Sequence, residues 1–332
     1  MKIFKRILCL VLVAAIATVG LAGCKATEKD KKISIVCTVF PIYDWARNIL
    51  GDDNDDISLK LLVKNGTDPH SYSPTPRDIV EISSCDMLIY VGGESDSWIS
   101  DVLHNSALSG VRAVGLLSLL GERAVAEEEI EGAECGEDCH DHDHDHGDHR
   151  HQENAYDEHV WLSLKNAELL CGAITDELCR LLPQKEESYR ENSERYVNEI
   201  RSLDEKYSRM AAESARDTLV FADRFPFRYL VEDYGLKYYA AFSGCSADSE
   251  ASVETVIFLA KKIDELSLSH LIILENSGTA LADTVISSAK SGKAGVLRLD
   301  SMQSITAADI EDGVSYLSIM ENNLTALRTA LT

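Results

Sequence analysis

An alternation of short apolar runs and amphipathic stretches occurs twice in this chain, once on each side of a long charged segment. In the first half the apolar runs are 33–40, 58–63, 87–91 and 111–116, with helical patterns at 42–50, 76–84 and 97–105. In the second half the runs are 218–222, 237–242, 271–274 and 295–299, with helical patterns at 225–234, 253–266, 281–290 and 310–331. Strand–helix alternation at this spacing predicts parallel sheets covered by helices. The expected fold is therefore α/β, in two lobes. Between them, Pro183 followed by Glu186 and Glu187 suits a helix start, because Pro tolerates the first turn and acids favour its dipole. Tyr189, Tyr196, Ile200, Leu203, Tyr207 and Met210 then keep a spacing of three, four or seven, one apolar stripe on a charged helix that runs to about Glu213. A coiled-coil dimer seam would be longer and less rich in Tyr. A single rigid helix lying along both lobes, in a monomer, is the preferred reading, since amphipathic Tyr suits a surface dock. The expected organisation is a leader over 1–23, a tether over 24–32, a first lobe over 33–182, a linking helix over 183–213 and a second lobe over 214–332.

The leader follows from the first residues. Lys2, Lys5 and Arg6 precede an apolar run from Ile7 to Val19, shorter than the ~20 residues a permanent membrane helix needs. It has the form of a secretory signal. Leu21-Ala22-Gly23-Cys24 follows at once and resembles the lipobox of bacterial lipoproteins, which implies cleavage before Cys24 and acylation of its sulfur. The charged stretch 25–32 suits a flexible tether. The expected location is the outer face of a bacterial cytoplasmic membrane, held by lipid.

Removing the three basic leader residues from the 32 Lys and Arg leaves 29 against 56 Asp and Glu, a formal charge of −27. Such a surface disfavours nucleic acid, whose phosphates need a basic patch. It suits an exported soluble protein and concentrates cations nearby. Of 9 Cys, Cys9 leaves with the leader and Cys24 takes lipid. The seven that remain, Cys37, Cys85, Cys135, Cys139, Cys171, Cys179 and Cys245, cannot all pair. Cys135 and Cys139 lie beside a His run and suit either metal or a disulfide.

Six of the 10 His lie in that run, HDHDHDHGDHRH: His140, His142, His144, His146, His149 and His151. Alternating His and Asp cannot build a core and predicts a loop. Imidazole with carboxylate suits zinc and its neighbours. The interleaved Asp and the internal position exclude an expression tag. Such a run captures metal with little selectivity, so a built site should use His70, His104, His159 or His270. His70 follows the apolar run 58–63 and precedes a helix, which places it at a strand end, where open α/β sheets bind ligands. His159 sits in Asp157-Glu158-His159-Val160-Trp161-Leu162-Ser163, just before a helix. His104 falls in a helical stretch and His270 opens an apolar strand, and both suit structural roles.

Asp68-Pro69-His70 with Tyr72, Pro74, Pro76 and Asp78 resembles the first metal-ligand segment of the zinc/manganese ABC-transporter solute-binding lipoproteins. Asp157, His159, Trp161, Leu162 and Ser163 resemble the second. Tyr234-Gly235-Leu236 with Ser246 and Glu250, then Leu299-Asp300, then Val314-Ser315-Tyr316-Leu317 to Asn323-Leu324, resemble later parts of that family in order. A His-rich loop between the first two segments is typical of its zinc-type members. The resemblance implies two α/β lobes joined by a long rigid helix, with metal bound in the cleft between them. It also implies capture of Zn2+ (Mn2+ less so) for an ABC permease and its ATPase, with manganese binding or cell adhesion as variants within the family. The third ligand of the family is a His or Glu after the first strand of the second lobe. Counting from the strand reaches Ala222 and counting back from Tyr234 reaches Arg224, so a local length change is implied. Asp223 lies between them as the nearest oxygen donor, with pairing to Arg224 or helix capping as its alternative. Manganese-type members carry an Asp near Thr279, which this chain lacks. Glu275 is the remaining candidate, as fourth ligand or as a partner behind the ligands. The expected metal set is thus His70, His159, Asp223 and Glu275.

A zinc hydrolase is the reading from another class, with His70 and His159 holding a catalytic ion. The chain has no His-Glu-x-x-His pair, nucleophile elbow or Gly-rich phosphate loop, which favours a binding protein over an enzyme. The anchor is directly testable. Cys24→Ala should release the folded protein from the membrane fraction, since stable attachment generally takes two acyl chains. Retention of a cleaved Cys24→Ala protein in membranes would disprove the lipobox.

Overall fold

The first sheet has four parallel strands, β1 (Ile33–Cys37), β2 (Ile57–Leu61), β3 (Met87–Tyr90) and β4 (Arg112–Gly115), in the order β2-β1-β3-β4. The second repeats the plan with β5 (Thr218–Phe225), β6 (Lys237–Ser243), β7 (His270–Leu274) and β8 (Gly295–Leu299), in the order β6-β5-β7-β8. This computed structural model describes residues 32–52, 54–104, 110–128, 130–132, 156–244 and 251–332. Several sequence-based expectations therefore fall outside the described residues: the leader and Cys24, the metal-capturing histidines His140, His142, His144, His146, His149 and His151, and Cys135, Cys139 and Cys245. Of the other cysteines, Cys37, Cys85, Cys171 and Cys179 are free and buried.

Strands buried on both faces need apolar residues at every position, and β7 shows this. Its Ile272 and Leu274 enter the central core, whereas Leu271 and Ile273 face the outer layer with Leu259, Ile263 and Val285. The latter three belong to α8 (Val253–Glu265) and α9 (Ala280–Ser288). In the first lobe Val36 and Leu88 likewise pack outward against Ile82 of α2 (Pro76–Ser84) and Ile99 of α3 (Ser97–Leu103). The inner layer comprises α1 (Phe40–Leu50), the short α4 (Leu116–Leu120), α5 (Leu164–Leu181) and the linking helix α6 (Glu186–Glu213), preceded by a 3-10 turn at Pro183–Lys185. Tyr189, Tyr196, Ile200, Leu203, Tyr207 and Met210 are all buried along one side of α6. Through them one continuous core joins Ile35 and Ile89 of the first sheet to Phe221 and Ile272 of the second.

Three of the boundaries that differ from expectation have a clear local reason. The apolar run 33–40 ends as a helix start: α1 begins at Phe40 with Pro41 in its first turn, where a missing N–H costs nothing. The expected helix 310–331 is two, α10 (Ala307–Glu311) and α11 (Tyr316–Ala330). Gly313 between them has φ +86, a region that favours glycine, and Ser315 opens α11 with a capping box. Strand β5 runs past Ala222 to Phe225, and its register against β6 shifts between Phe221 and Arg224, a β-bulge. The bulge sets one extra residue of β5 against β6.

Asp44 of α1 is fully buried at the meeting point of the layers. Its Oδ2 accepts from Tyr316 N of α11 at 3.0 Å and Tyr196 Oη of α6 at 3.3 Å, and Arg47 pairs with Oδ1. Burial raises its carboxyl above the usual range, opposed by Arg47 and these donors. Asp44→Ala would strand two buried donors. We expect it to cost about 2–3 kcal/mol, seen as a lower denaturant midpoint at unchanged slope.

Candidate metal centre

Each half of the site is built on a turn that follows the carboxyl end of a strand. After β2 the chain reaches Asp68, whose Oδ1 accepts from His70 N at 3.0 Å and caps the single 3-10 turn Pro69–Ser71. His159 enters from the crossover after β4, just before the 3-10 turn Val160–Leu162 and the start of α5. Asp157 Oδ1 accepts from His159 N at 2.8 Å and lies 3.0 Å from His159 Nδ1. Nδ1–H donates to that carboxylate, which leaves the lone pair on Nε2. For His70 the matching partner is Ser95 Oγ, 2.6 Å from Nδ1, with Glu158 Oε2 behind it at 4.0 Å.

The two Nε2 atoms converge at 3.0 Å. Two lone pairs at that separation repel unless a cation or a donor lies between them. An ion at about 2.05 Å from each nitrogen in tetrahedral geometry would set them ~3.3 Å apart, so the pair is spaced for one metal. The donor in this structure is Gln303, from the segment after β8. Its Nε2 lies 2.9 Å from His70 Nε2 and 2.9 Å from His159 Nε2. An amide nitrogen has two hydrogens, one for each imidazole. Gln303 Oε1 in turn lies 3.0 Å from Ser301 Oγ. His159 and Gln303 are buried, and the His70 side chain is 12% exposed.

The second lobe approaches this pair at backbone distance. A Cβ on Gly244 would come within 3.1 Å of His159 Cε1 and 2.8 Å of Phe225 O, so only glycine fits. Trp161 Nε1 donates to Ser301 O at 2.9 Å across the same boundary.

The expected carboxylates sit differently. Asp223 lies in the β5 bulge, where Oδ2 accepts from Leu274 N at 2.9 Å and Oδ1 from Arg224 N at 2.8 Å. Glu275 follows β7 and accepts from Ser301 N at 3.0 Å, Ser301 Oγ at 2.9 Å and Ser304 Oγ at 3.0 Å. It therefore stands behind Gln303, joined to it through Ser301. His104 caps the end of α3, and His270 opens β7 beside Ser269. Among the described residues no three His, Cys, Asp or Glu side chains gather as a metal-binding group. Gln303 is absent from the sequence-based set because an amide is a weak signal for metal. The clue available was its place three residues after Asp300, just past the end of a parallel strand.

The expected capture histidines His140, His142, His144, His146, His149 and His151 lie outside the described residues, so the geometry of the centre is that of His70 and His159 alone. Two stretches that flank the run meet here. Ala126 bridges Tyr156, and Asp157 N donates to Val125 O at 2.9 Å. Tyr229 Oη, from α7 (Arg228–Tyr234) of the second lobe, accepts from Val125 N at 3.1 Å and donates to Asp157 O at 2.9 Å. These bonds hold the chain on either side of 127–155 beside the carboxylate that orients His159.

The family model described as "ZnuA: Zinc-uptake complex component A periplasmic" matches residues 35–330. The zinc-binding lipoprotein AdcA of Streptococcus pneumoniae is 31% identical over 329 residues, covering 96% of this chain and 60% of AdcA. The chain thus spans 60% of the length of that relative. The high-affinity zinc uptake system protein ZnuA of Bacillus subtilis is 29% identical over 323 residues, covering 97% of this chain and 95% of ZnuA. Among solved structures, the Zn(II)-bound ZnuA-like domain of S. pneumoniae AdcA matches with a TM-score of 0.68 at 27% identity, over 90% of this chain and 99% of that one. The periplasmic zinc binding protein TroA from Treponema pallidum shares the fold, with a TM-score of 0.71 at 23% identity over 91% of this chain and 99% of that one.

Burial, and then the charge of His159 beside it, hold the His70 imidazole down at about 4. In an unfolded chain it titrates near ~6.5. Between those values the unfolded chain binds a proton that the folded chain refuses. This contribution to stability is full above ~6.5 and is lost as pH falls toward about 4. We expect the metal-free protein to lose stability across that window in denaturant titrations, and His70→Ala to lose less. Equal losses in both proteins would assign the proton uptake to other groups.

Proposed function

The chain belongs to the ZnuA family of zinc-uptake components, and we propose that it captures Zn2+ outside the cytoplasmic membrane and hands it to an ABC permease and its ATPase. It would do so as a binding protein without catalysis, held to the membrane through lipid on Cys24. The observation that carries this reading is the pair of Nε2 lone pairs 3.0 Å apart, each ring oriented through its Nδ1 by Asp157 or Ser95. Imidazole donors with a fixed second partner suit zinc, whereas an oxygen-rich set would suit manganese.

In this reading His70 and His159 bind the ion and Gln303 supplies a donor from the second lobe. Turning the Gln303 amide over would aim Oε1 at the ion. Ser301 Oγ could then accept from Nε2, because it can give its own hydrogen to Glu275 Oε1 at 2.9 Å. Glu275 acts behind the ligand in this arrangement. Asp223 of the second lobe would join the ion by releasing Leu274 N. Water can complete an open zinc site. The run of His140, His142, His144, His146, His149 and His151 would gather ions at lower affinity, since each one bound must also offset the ordering of that segment.

Deletion of 140–151 is expected to lower metal stoichiometry while one tight site remains, as measured by metal content and competition with a chelator. In that background His70→Ala and His159→Ala should cost the most affinity. Asp157→Asn should cost 10–100-fold, roughly the loss for an orienting partner. Gln303→Ala should cost more than Asp223→Ala. Undiminished affinity in His70→Ala would sink the cleft site, and loss of all tight binding on deletion would make the run itself the site.

A further inference from the structure

Arg224 has no lone pair to offer a metal, yet its side chain is not idle. Its Nη2 lies 2.6 Å from Asp68 Oδ2, and both side chains are about three-quarters buried, at 23% and 24% exposure. Asp68 belongs to the first lobe and Arg224 to the β5 bulge of the second, so the pair crosses between the lobes. The other oxygen of the same carboxylate, Oδ1, accepts from His70 N. One carboxylate thus takes a guanidinium from the second lobe on one oxygen and holds the His70 turn on the other. A pair this sheltered is screened less than a surface pair, and removing one partner leaves the other charge poorly solvated.

A guanidinium is a permanent cation and would repel an ion rather than bind it, so what it offers the site must pass through Asp68. Resting on the metal-capture reading, we infer that Arg224 is a positioning residue for His70. From the opposite lobe it fixes the turn that carries the first imidazole, so the pair of histidines keeps its spacing whether or not an ion is present. Elsewhere in the site, Gln303 and Trp161–Ser301 also join the lobes without metal. The Arg224 link differs in acting on the backbone of a proposed ligand. Without it the backbone of the His70 turn loses its tie to the β5 bulge, and an ion bound there should leave more often. Affinity differences among variants of one site fall mostly on dissociation.

The test uses the full mature chain with the six histidines of 140–151 replaced by asparagine. Zn2+ dissociation is followed after mixing with excess chelator, and amide exchange at 68–72 is followed in the metal-free protein. Arg224→Ala should raise the dissociation rate roughly tenfold and speed exchange in the turn, and Arg224→Lys should recover much of both. Asp68→Asn should match Arg224→Ala, with the double variant no worse than either. The ligand-field spectrum of the Co2+-loaded protein should change in Arg224→Ala and return toward the parent in Arg224→Lys. Unchanged dissociation and exchange in Arg224→Ala, or additive losses in the double variant, would overturn the assignment. Arg224→Gln keeps the test should the Ala variant not fold. A parent protein that binds no Zn2+ would overturn the metal-capture reading instead, and metal-free exchange would still decide the role of Arg224.

Discussion

The structure depends on one strip of side chains along α6. A helix that joins two sheets can transmit position only if it is held by both. Tyr189, Tyr196, Ile200, Leu203, Tyr207 and Met210 provide that hold, because their shared side is buried in one core with residues of each sheet. The Tyr hydroxyls complete it: Tyr196 reaches Asp44, and Tyr207 donates to Met320 O at 2.7 Å. Apolar burial of this kind contributes in proportion to area, whereas the hydroxyl bonds select one register among many apolar ones. The two lobes are therefore held by a common interior as well as by their connection in sequence.

On that frame the carboxyl ends of the two sheets are brought face to face. The first sheet presents two imidazoles with their orienting partners. The second presents an amide at Gln303, a guanidinium at Arg224, and carboxylates engaged elsewhere, Asp223 with backbone and Glu275 with serines. Burial and then Glu275 raise the Asp300 carboxyl to about 7. Near the pair, the second lobe works by hydrogen bonds and shape, with Gly244 allowing its backbone to approach His159. In the proposed site the two imidazole nitrogens favour borderline ions over hard ones.

The sequence by itself determined the order of strands and helices, the two α/β lobes and the long helix between them. These are set by periodicity, and apolar spacing survives whatever the tertiary packing does. It also singled out His70 and His159, because each lies in a segment with its own local logic: Asp68-Pro69 capping a turn, and Asp157 two residues before a ring it can orient. The second lobe's share was legible only as a discrepancy, two counts around Asp223 that failed to agree. A β-bulge cannot be seen in a pattern of alternation, because the extra residue changes which side chains face the cleft without changing their types. Tertiary structure alone decided that Arg224 reaches Asp68 across the lobes, that Asp223 turns to the backbone of Leu274, and that Gln303 lies between the histidines. These contacts join residues 144 to 233 positions apart, or hinge on a single register shift. No local preference encodes them; they exist because a shared core fixes the distance between two sheets.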